Sequence, residues 1–412
     1  MKVVHISYSD AGGAGTAVLR LHRSLLGQGV ESKVLVAQKT TIDDTVVVVG
    51  ESSKLTNIPS GNRLKRAFAK IMRKRGYCLN PRERFEWMEK SIPSNRRVFF
   101  TSPLSRYDLS THPLVQDADV VQLHWVSDFI DYPSFFPTIN KPIVWTLHDE
   151  NLAYGGFHYG RERELSYSFY ADIEDAYCSI KRSSLEKCKS ISFVVLSRMM
   201  KDFYSSQPLL AGRDFRIIHN GIESPTFRVL DKSIGRQIYR IPFDNQVIVF
   251  CSLFLNDERK GLKELVNAIE KLNRRDITLL CIGKGRFEGE TSVDIRYSGP
   301  IINGDLMAMT YSCGDVFAFP SFQEAFAQTP LEAISCGLPI VAFPCSGMEE
   351  LVHEENGVIC DDFTAEALFD GLKTALSRSY NPQRLHDDIS HRFSIDTIAG
   401  EYCRLYNSLV NP

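Results

Sequence analysis

Between Asp315 and Phe343 the chain reads as a strand, a turn, a helix and a second strand, and no other stretch limits the possible folds so tightly. Asp315-Val316-Phe317-Ala318-Phe319 is a short apolar run suited to a buried strand. Leu331-Glu332-Ala333-Ile334-Ser335-Cys336 reads as a helix that stops at Gly337 and Pro339. Pro339-Ile340-Val341-Ala342-Phe343 follows as the next strand. Glu324 and Glu332 straddle the turn: Glu324 at the carboxyl end of the first strand, Glu332 a turn or two into the helix. In open α/β sheets that edge is where ligands bind.

The same scheme recurs along the chain. In the first half, strands are expected at 2–7, 33–37, 119–123, 142–147 and 190–196, with helices at about 15–28, 171–188 and 198–205. In the second half, strands are expected at 246–253, 277–282, 294–298, 316–319 and 340–343, with helices at 262–272, 304–312 and 365–377. Strands alternating with helices give parallel sheets covered on both faces. At 412 residues two domains are expected, so the predicted class is α/β with two Rossmann-like domains. The pattern breaks around 223–235, which divides the chain into 1–225, 226–390 and a C-terminal helical segment, 391–412, with apolar spacing suited to packing.

Several function classes fall away on composition. A formal net charge of −2 provides no field for nucleic acid. No run reaches the roughly 18 apolar residues a membrane span needs. The N-terminus enters a strand directly, without the apolar stretch of a signal peptide. The ten cysteines show no C-x-x-C pair and no zinc spacing, and several sit in apolar strands, so a reduced, cytoplasmic setting is expected.

The turn itself carries the chemistry. The first amides of the helix, around Phe326, Ala327, Gln328 and Thr329, lack intrahelical partners and suit an anion such as a diphosphate. Glu324 can accept from sugar hydroxyls, and Glu332 can take the two hydroxyls of a ribose. Two solvated surface acids would leave the same pair of residues. After the first strand, Asp10-Ala11-Gly12-Gly13-Ala14-Gly15 forms a glycine turn opening a helix; a tight βα turn without ligand reads the same way. It is not the dinucleotide fingerprint G-x-G-x-x-G, which disfavours a nicotinamide enzyme. His124 and His148 end neighbouring strands and point to one sheet edge, where imidazole can donate or accept near neutral pH. Arg259 and Lys260 follow the strand at 246–253 and can neutralise a leaving diphosphate. No D-x-D pair follows a strand where it could hold a divalent ion.

Pro320-Ser321, Glu324, Phe326, Glu332-Ala333, Gly337, Pro339 and Val341-Ala342 stand in the register of the E-x7-E signature, and the chain resembles the retaining GT-B glycosyltransferases of glycosyl transferases group 1. The resemblance spans roughly 1–40 and 117–410 and is strengthened by Asn220-Gly221 and the glycine turn at Gly283. It departs where Ala325 and Ala327 replace glycines, and where Phe254 stands in place of an arginine that Arg259 would have to replace. The resemblance implies a metal-independent, cofactor-free transfer of a sugar from a nucleotide-sugar donor to a saccharide or lipid-linked saccharide acceptor, as in bacterial polysaccharide or glycolipid assembly. Glu324, Lys260 and His148 would serve catalysis. Gly12, Gly13, Arg259, Lys260, Glu324, Phe326, Ala327, Gln328, Thr329, Glu332 and Gly283 would hold the donor. His124 and Asp149 would lie on the acceptor or sugar side, and the C-terminal helix would cross back onto the first domain. A sugar-nucleotide epimerase on the same plan and a non-catalytic sugar-nucleotide-binding subunit are the alternatives. Finally, Arg63–Arg75 places seven cations around apolar residues at helical spacing, which suits either an anionic membrane surface or a solvated helix over the sheet.

Overall fold

The computed structural model describes residues 1–50 and 81–411, so the basic stretch 63–75 lies outside the described residues. The first sheet is built from β1 (Lys2–Ser9), β2 (Glu31–Gln38), β3 (Val46–Val48), β4 (Val120–Leu123), β5 (Ile143–Leu147), β6 (Ile191–Val195) and β7 (Phe215–Ile217). The second holds β8 (Gln246–Phe254), β9 (Ile277–Lys284), β10 (Asp294–Gly299), β11 (Val316–Phe319), β12 (Ile340–Ala342) and β13 (Gly357–Ile359). Every neighbouring pair is parallel. The orders are β3-β2-β1-β4-β5-β6-β7 and β10-β9-β8-β11-β12-β13. In each sheet the chain runs one way from its first strand and then returns to the other side of it. Those reversals, between β1 and β4 and between β8 and β11, are the points at which open α/β sheets generally bind ligands.

Helices cover both faces, which is why β11, and β5 apart from Thr146, are apolar without alternation and buried at every residue. Three expectations needed revision. β3, β7 and β13 were not anticipated, because three residues are too few to show a period. The helix Gly160–Glu186 begins well before Ala171, its charged opening, Arg161-Glu162-Arg163-Glu164, having hidden the apolar spacing. A helix at Pro382–Phe393 was not foreseen either.

The last helix, Ile395–Val410, lies against the helix Gly12–Gly27. Ile398, Tyr402, Leu405 and Tyr406 pack in one cluster with Val3, Leu21 and Leu25. The buried tyrosine hydroxyls are satisfied: Tyr406 donates to Gln122 Oε1 (2.9 Å), and Tyr402 pairs with Thr146 Oγ1 (2.7 Å). The chain end thereby ties the second half of the molecule back to the first.

Candidate active site

On the second sheet the site is assembled by a backbone contact only glycine permits. Gly261 has a φ of +73°, and a Cβ there would stand 2.1 Å from the Pro320 carbonyl oxygen. The loop after β8 can therefore lie against the loop after β11, and the Phe322 amide donates to the Arg259 carbonyl at 2.9 Å. This clamp sets two cations on Glu324. Lys260 Nζ donates to Glu324 Oε1, and Arg259 Nη1 reaches the same oxygen at 3.4 Å and the Gln323 carbonyl at 2.9 Å. The Arg259 guanidinium also lies 4.5 Å from the ring centre of Tyr159, which the first domain contributes. Burial pushes the Glu324 carboxyl up, but Lys260 and Arg259 outweigh it and hold the group below its ordinary range. Glu324 is thus an anion at neutral pH. Phe254 is exposed, and Arg259 provides the second cation beside Glu324.

The helix Gln328–Ser335 opens at Ala327 with no side chain capping its first amides. Ala327 and Thr329 are partly exposed at that mouth. Phe326 is a packing residue: its ring stacks on His219 with centroids 5.1 Å apart. Gly283 is explained by close strand approach, since a Cβ there would meet the Ser252 carbonyl oxygen at 1.8 Å. Glu332 differs from the expectation of an open ribose ligand. Its side chain is 9% exposed, Oε1 accepts from Arg20 Nη2 at 2.7 Å and Oε2 from the Tyr311 hydroxyl at 3.0 Å. Arg20 also donates to Gln328 Oε1 and, at 3.3 Å, to Glu223 Oε2, and its guanidinium stacks 5.0 Å from the Phe227 ring centre. One arginine therefore joins the first domain, the connecting segment and the second domain.

On the first sheet the neighbours β1, β4 and β5 each place a histidine near the same edge. His5 Nδ1 and His124 Nε2 are 3.0 Å apart, and His124 Nδ1 and His148 Nε2 are 3.1 Å apart. His124 was expected on the sugar side. Both its ring nitrogens are instead committed to other histidines, and it lies buried behind His148. Asp149 is likewise occupied: Oδ2 accepts from Trp125 Nε1 (2.7 Å) and His158 Nδ1 (2.6 Å), and Oδ1 from the Asn151 amide (3.0 Å). The ring nitrogens of His124 and the carboxylate of Asp149 are thus engaged by partners within the first domain. Burial lowers the His148 pKa to about 4, so the ring is neutral at pH 7. Gly12 and Gly13 are exposed at the end of β1; Gly12 has φ +76°, and a Cβ on Gly13 would meet nothing within 4 Å. The glycine that packing demands is Gly15, where a Cβ would stand 2.4 Å from the Asp10 carbonyl carbon.

Direct bonds join the two edges. Gln323 Nε2 donates to Glu150 Oε1 (2.5 Å), Ser197 and Ser346 hydroxyls meet at 2.6 Å, and Asn220 Nδ2 donates to the Phe326 carbonyl at 2.8 Å. His148 and His124 line a small cavity together with His219 and Asn220, and His219 carries the ring of Phe326, two residues from Glu324. His148 lies at the carboxyl edge of the first sheet, Lys260 and Glu324 at that of the second, and Glu332 in the arginine cluster. Arg20, Tyr159, Gln323 and His5 escaped the sequence reading. Arg20 and His5 left a signal there, as ionisable residues within the apolar runs Val18-Leu19-Arg20-Leu21 and Val3-Val4-His5-Ile6.

Two parallel Rossmann-like sheets whose carboxyl edges meet across a crevice, with the final helix returned to the first sheet, define the GT-B fold, and the chain is similar in sequence and fold to glycosyltransferases of that class. Residues 245–378, which hold Lys260, Glu324 and Glu332, match the family model for glycosyl transferases group 1. The chain is 24% identical to an uncharacterized glycosyltransferase of Methanocaldococcus jannaschii over 71% of this chain and 76% of that protein. It is also 24% identical to a D-inositol 3-phosphate glycosyltransferase of Xylanimonas cellulosilytica, over 96% of this chain and 92% of that one. Among solved structures, HepE of Anabaena in complex with UDP and glucose superposes with a TM-score of 0.67 at 16% identity, covering 99% of this chain and 100% of that one.

Proposed function

We propose that this protein is a retaining, metal-independent glycosyltransferase that moves a hexose from a UDP-sugar to a hydroxyl of a saccharide or lipid-linked saccharide. The observation that carries the proposal is the cluster in which Lys260 and Arg259 share the Glu324 carboxylate beside an uncapped helix start. Two cations and free helix amides suit the negative charge that develops on a diphosphate as its bond to the sugar breaks, the task a divalent ion performs elsewhere. Glu324, held ionised, accepts from hydroxyls of the sugar and fixes it for attack. His148, neutral at the opposite edge, donates to or accepts from the sugar without bringing a charge into the crevice. UDP and glucose bound to HepE, and the group 1 match over the second sheet, support the choice of donor and of domain.

With retention, the acceptor hydroxyl attacks the face the diphosphate leaves, the acceptor proton passes to the departing phosphate oxygen, and the new C–O bond replaces the old one. Interdomain bonds such as Glu150–Gln323 must open for donor entry and re-form over it, excluding water that would hydrolyse the donor. The test is a panel of UDP-sugars screened by thermal stabilisation, then transfer to saccharide acceptors in the presence of EDTA. The anomeric configuration of the first-formed product is read by NMR. An inverted product, or transfer abolished by EDTA and restored by a divalent ion, overturns the proposal. Conversion of the donor without any acceptor would identify an epimerase instead.

A further inference from the structure

Three imidazoles form a hydrogen-bonded row that runs from the core of the first sheet to the crevice. His5 and His124 are fully packed, at 0% and 3% exposure, and His148 is the partly exposed end. Burial lowers the pKa of each, so all three rings are neutral at pH 7. A neutral imidazole has one N–H and one lone pair. A row of neutral rings must therefore run in a single sense, each ring donating forward what it accepts from behind.

Two senses are possible. In one, every ring carries its proton on Nδ1: His5 donates to His124, His124 donates to His148, and the Nδ1–H of His148 is left over. In the other, every proton sits on Nε2, and the row ends on an N–H of His5. Among the described residues, His5 Nε2 is buried without a hydrogen-bond partner. Its neighbour His22, ring centres 6.0 Å away, has spent both nitrogens on Ser32 Oγ and Thr45 Oγ1, at 2.7 Å each. Buried N–H groups without acceptors are rarer in proteins than acceptors left without donors, which favours the sense that leaves a lone pair at that dead end.

We propose that His5 and His124 are positioning residues that fix His148 as its Nδ1–H tautomer, so that the crevice meets a hydrogen-bond donor and not an acceptor. The inference rests on the reading of the crevice as a sugar site, and it specifies what the residue offers there: one neutral donor, matched to an oxygen lone pair of the bound sugar. A lone histidine at that strand end would present either face. The row removes the choice.

The test is ¹⁵N NMR of the full chain labelled at histidine, in which protonated and bare ring nitrogens resonate far apart. In the wild-type protein, His5, His124 and His148 should all be protonated on Nδ1 at pH 7. Protonation on Nε2 at any of the three overturns the proposal, whether or not the protein is ever shown to transfer sugar. In His124→Phe, His148 should become a mixture of tautomers. With an active UDP-sugar, kcat should fall about tenfold, the size of one lost neutral hydrogen bond, while affinity for UDP alone is unchanged. A His148 tautomer unaltered by His124→Phe would also overturn it. If that variant does not fold, the wild-type spectrum decides alone.

Discussion

Replacing Arg20 by Met should destabilise the protein by about 3 kcal/mol, because it strands a buried carboxylate. The Arg20 side chain is 4% exposed and that of Glu332 9%, so neither charge has water to fall back on. Methionine keeps the stem and part of the packing on Phe227 but removes the donors to Glu332 and Gln328. Breaking one side of a buried ion pair costs about 3–5 kcal/mol. The low end applies here, since Glu332 retains the Tyr311 hydroxyl and the second carboxylate, Glu223, is 30% exposed and gains little from its pair. Adding Glu332→Gln to Arg20→Met removes the stranded charge and should recover about half of the loss, so the double variant is more stable than the single one. Urea unfolding of the wild type, Arg20→Met and the double variant measures this. All three tryptophans, 87, 125 and 145, lie in the first domain, so fluorescence follows that domain while far-UV circular dichroism follows both. A loss below about 1 kcal/mol for Arg20→Met, or a double variant no more stable than the single one, would refute the buried-pair reasoning.

Lys260→Ala or Glu324→Gln should each lower kcat by about 10²–10³, the size expected for one lost preorganised contact to developing charge. The urea midpoint of Glu324→Gln should stay near the wild-type value, whereas that of Lys260→Ala should fall, because the largely buried Glu324 carboxylate is left with Arg259 alone; near-normal transfer by both would remove these residues from the mechanism. Gly261→Ala should cost about 2 kcal/mol or more in unfolding free energy, from the left-handed φ and the collision with the Pro320 carbonyl, and should reduce activity by displacing Lys260. Stability should decline as pH falls from about 6.5 towards 4 and be insensitive to histidine titration above 7. The sign follows because buried His22 and His148 refuse protons until about pH 4, whereas the unfolded chain takes them up below about 6.5. At pH 5 His22 alone accounts for about 2 kcal/mol of the loss. A flat urea midpoint between pH 7 and 5 would contradict this.

Local spacing was enough to read the two α/β halves, the long strands, and Glu324, Lys260 and His148 at carboxyl ends of strands, because burial on both faces and turn chemistry leave their marks within a few neighbouring residues. Burial at a distance leaves no such mark. Nothing next to Glu332 in sequence announces that Arg20, 312 positions away, would occupy its carboxylate. Nothing next to His124 or His148 announces His5. Those three rings meet because parallel pairing sets β1, β4 and β5 side by side, which brings residues over 100 positions apart within hydrogen-bonding distance. Sequence periodicity chose the sheet edge and the residue types that end on it. Only the order of strands and the closure of two domains decided which side chains remain free for a ligand and which are already spoken for by one another.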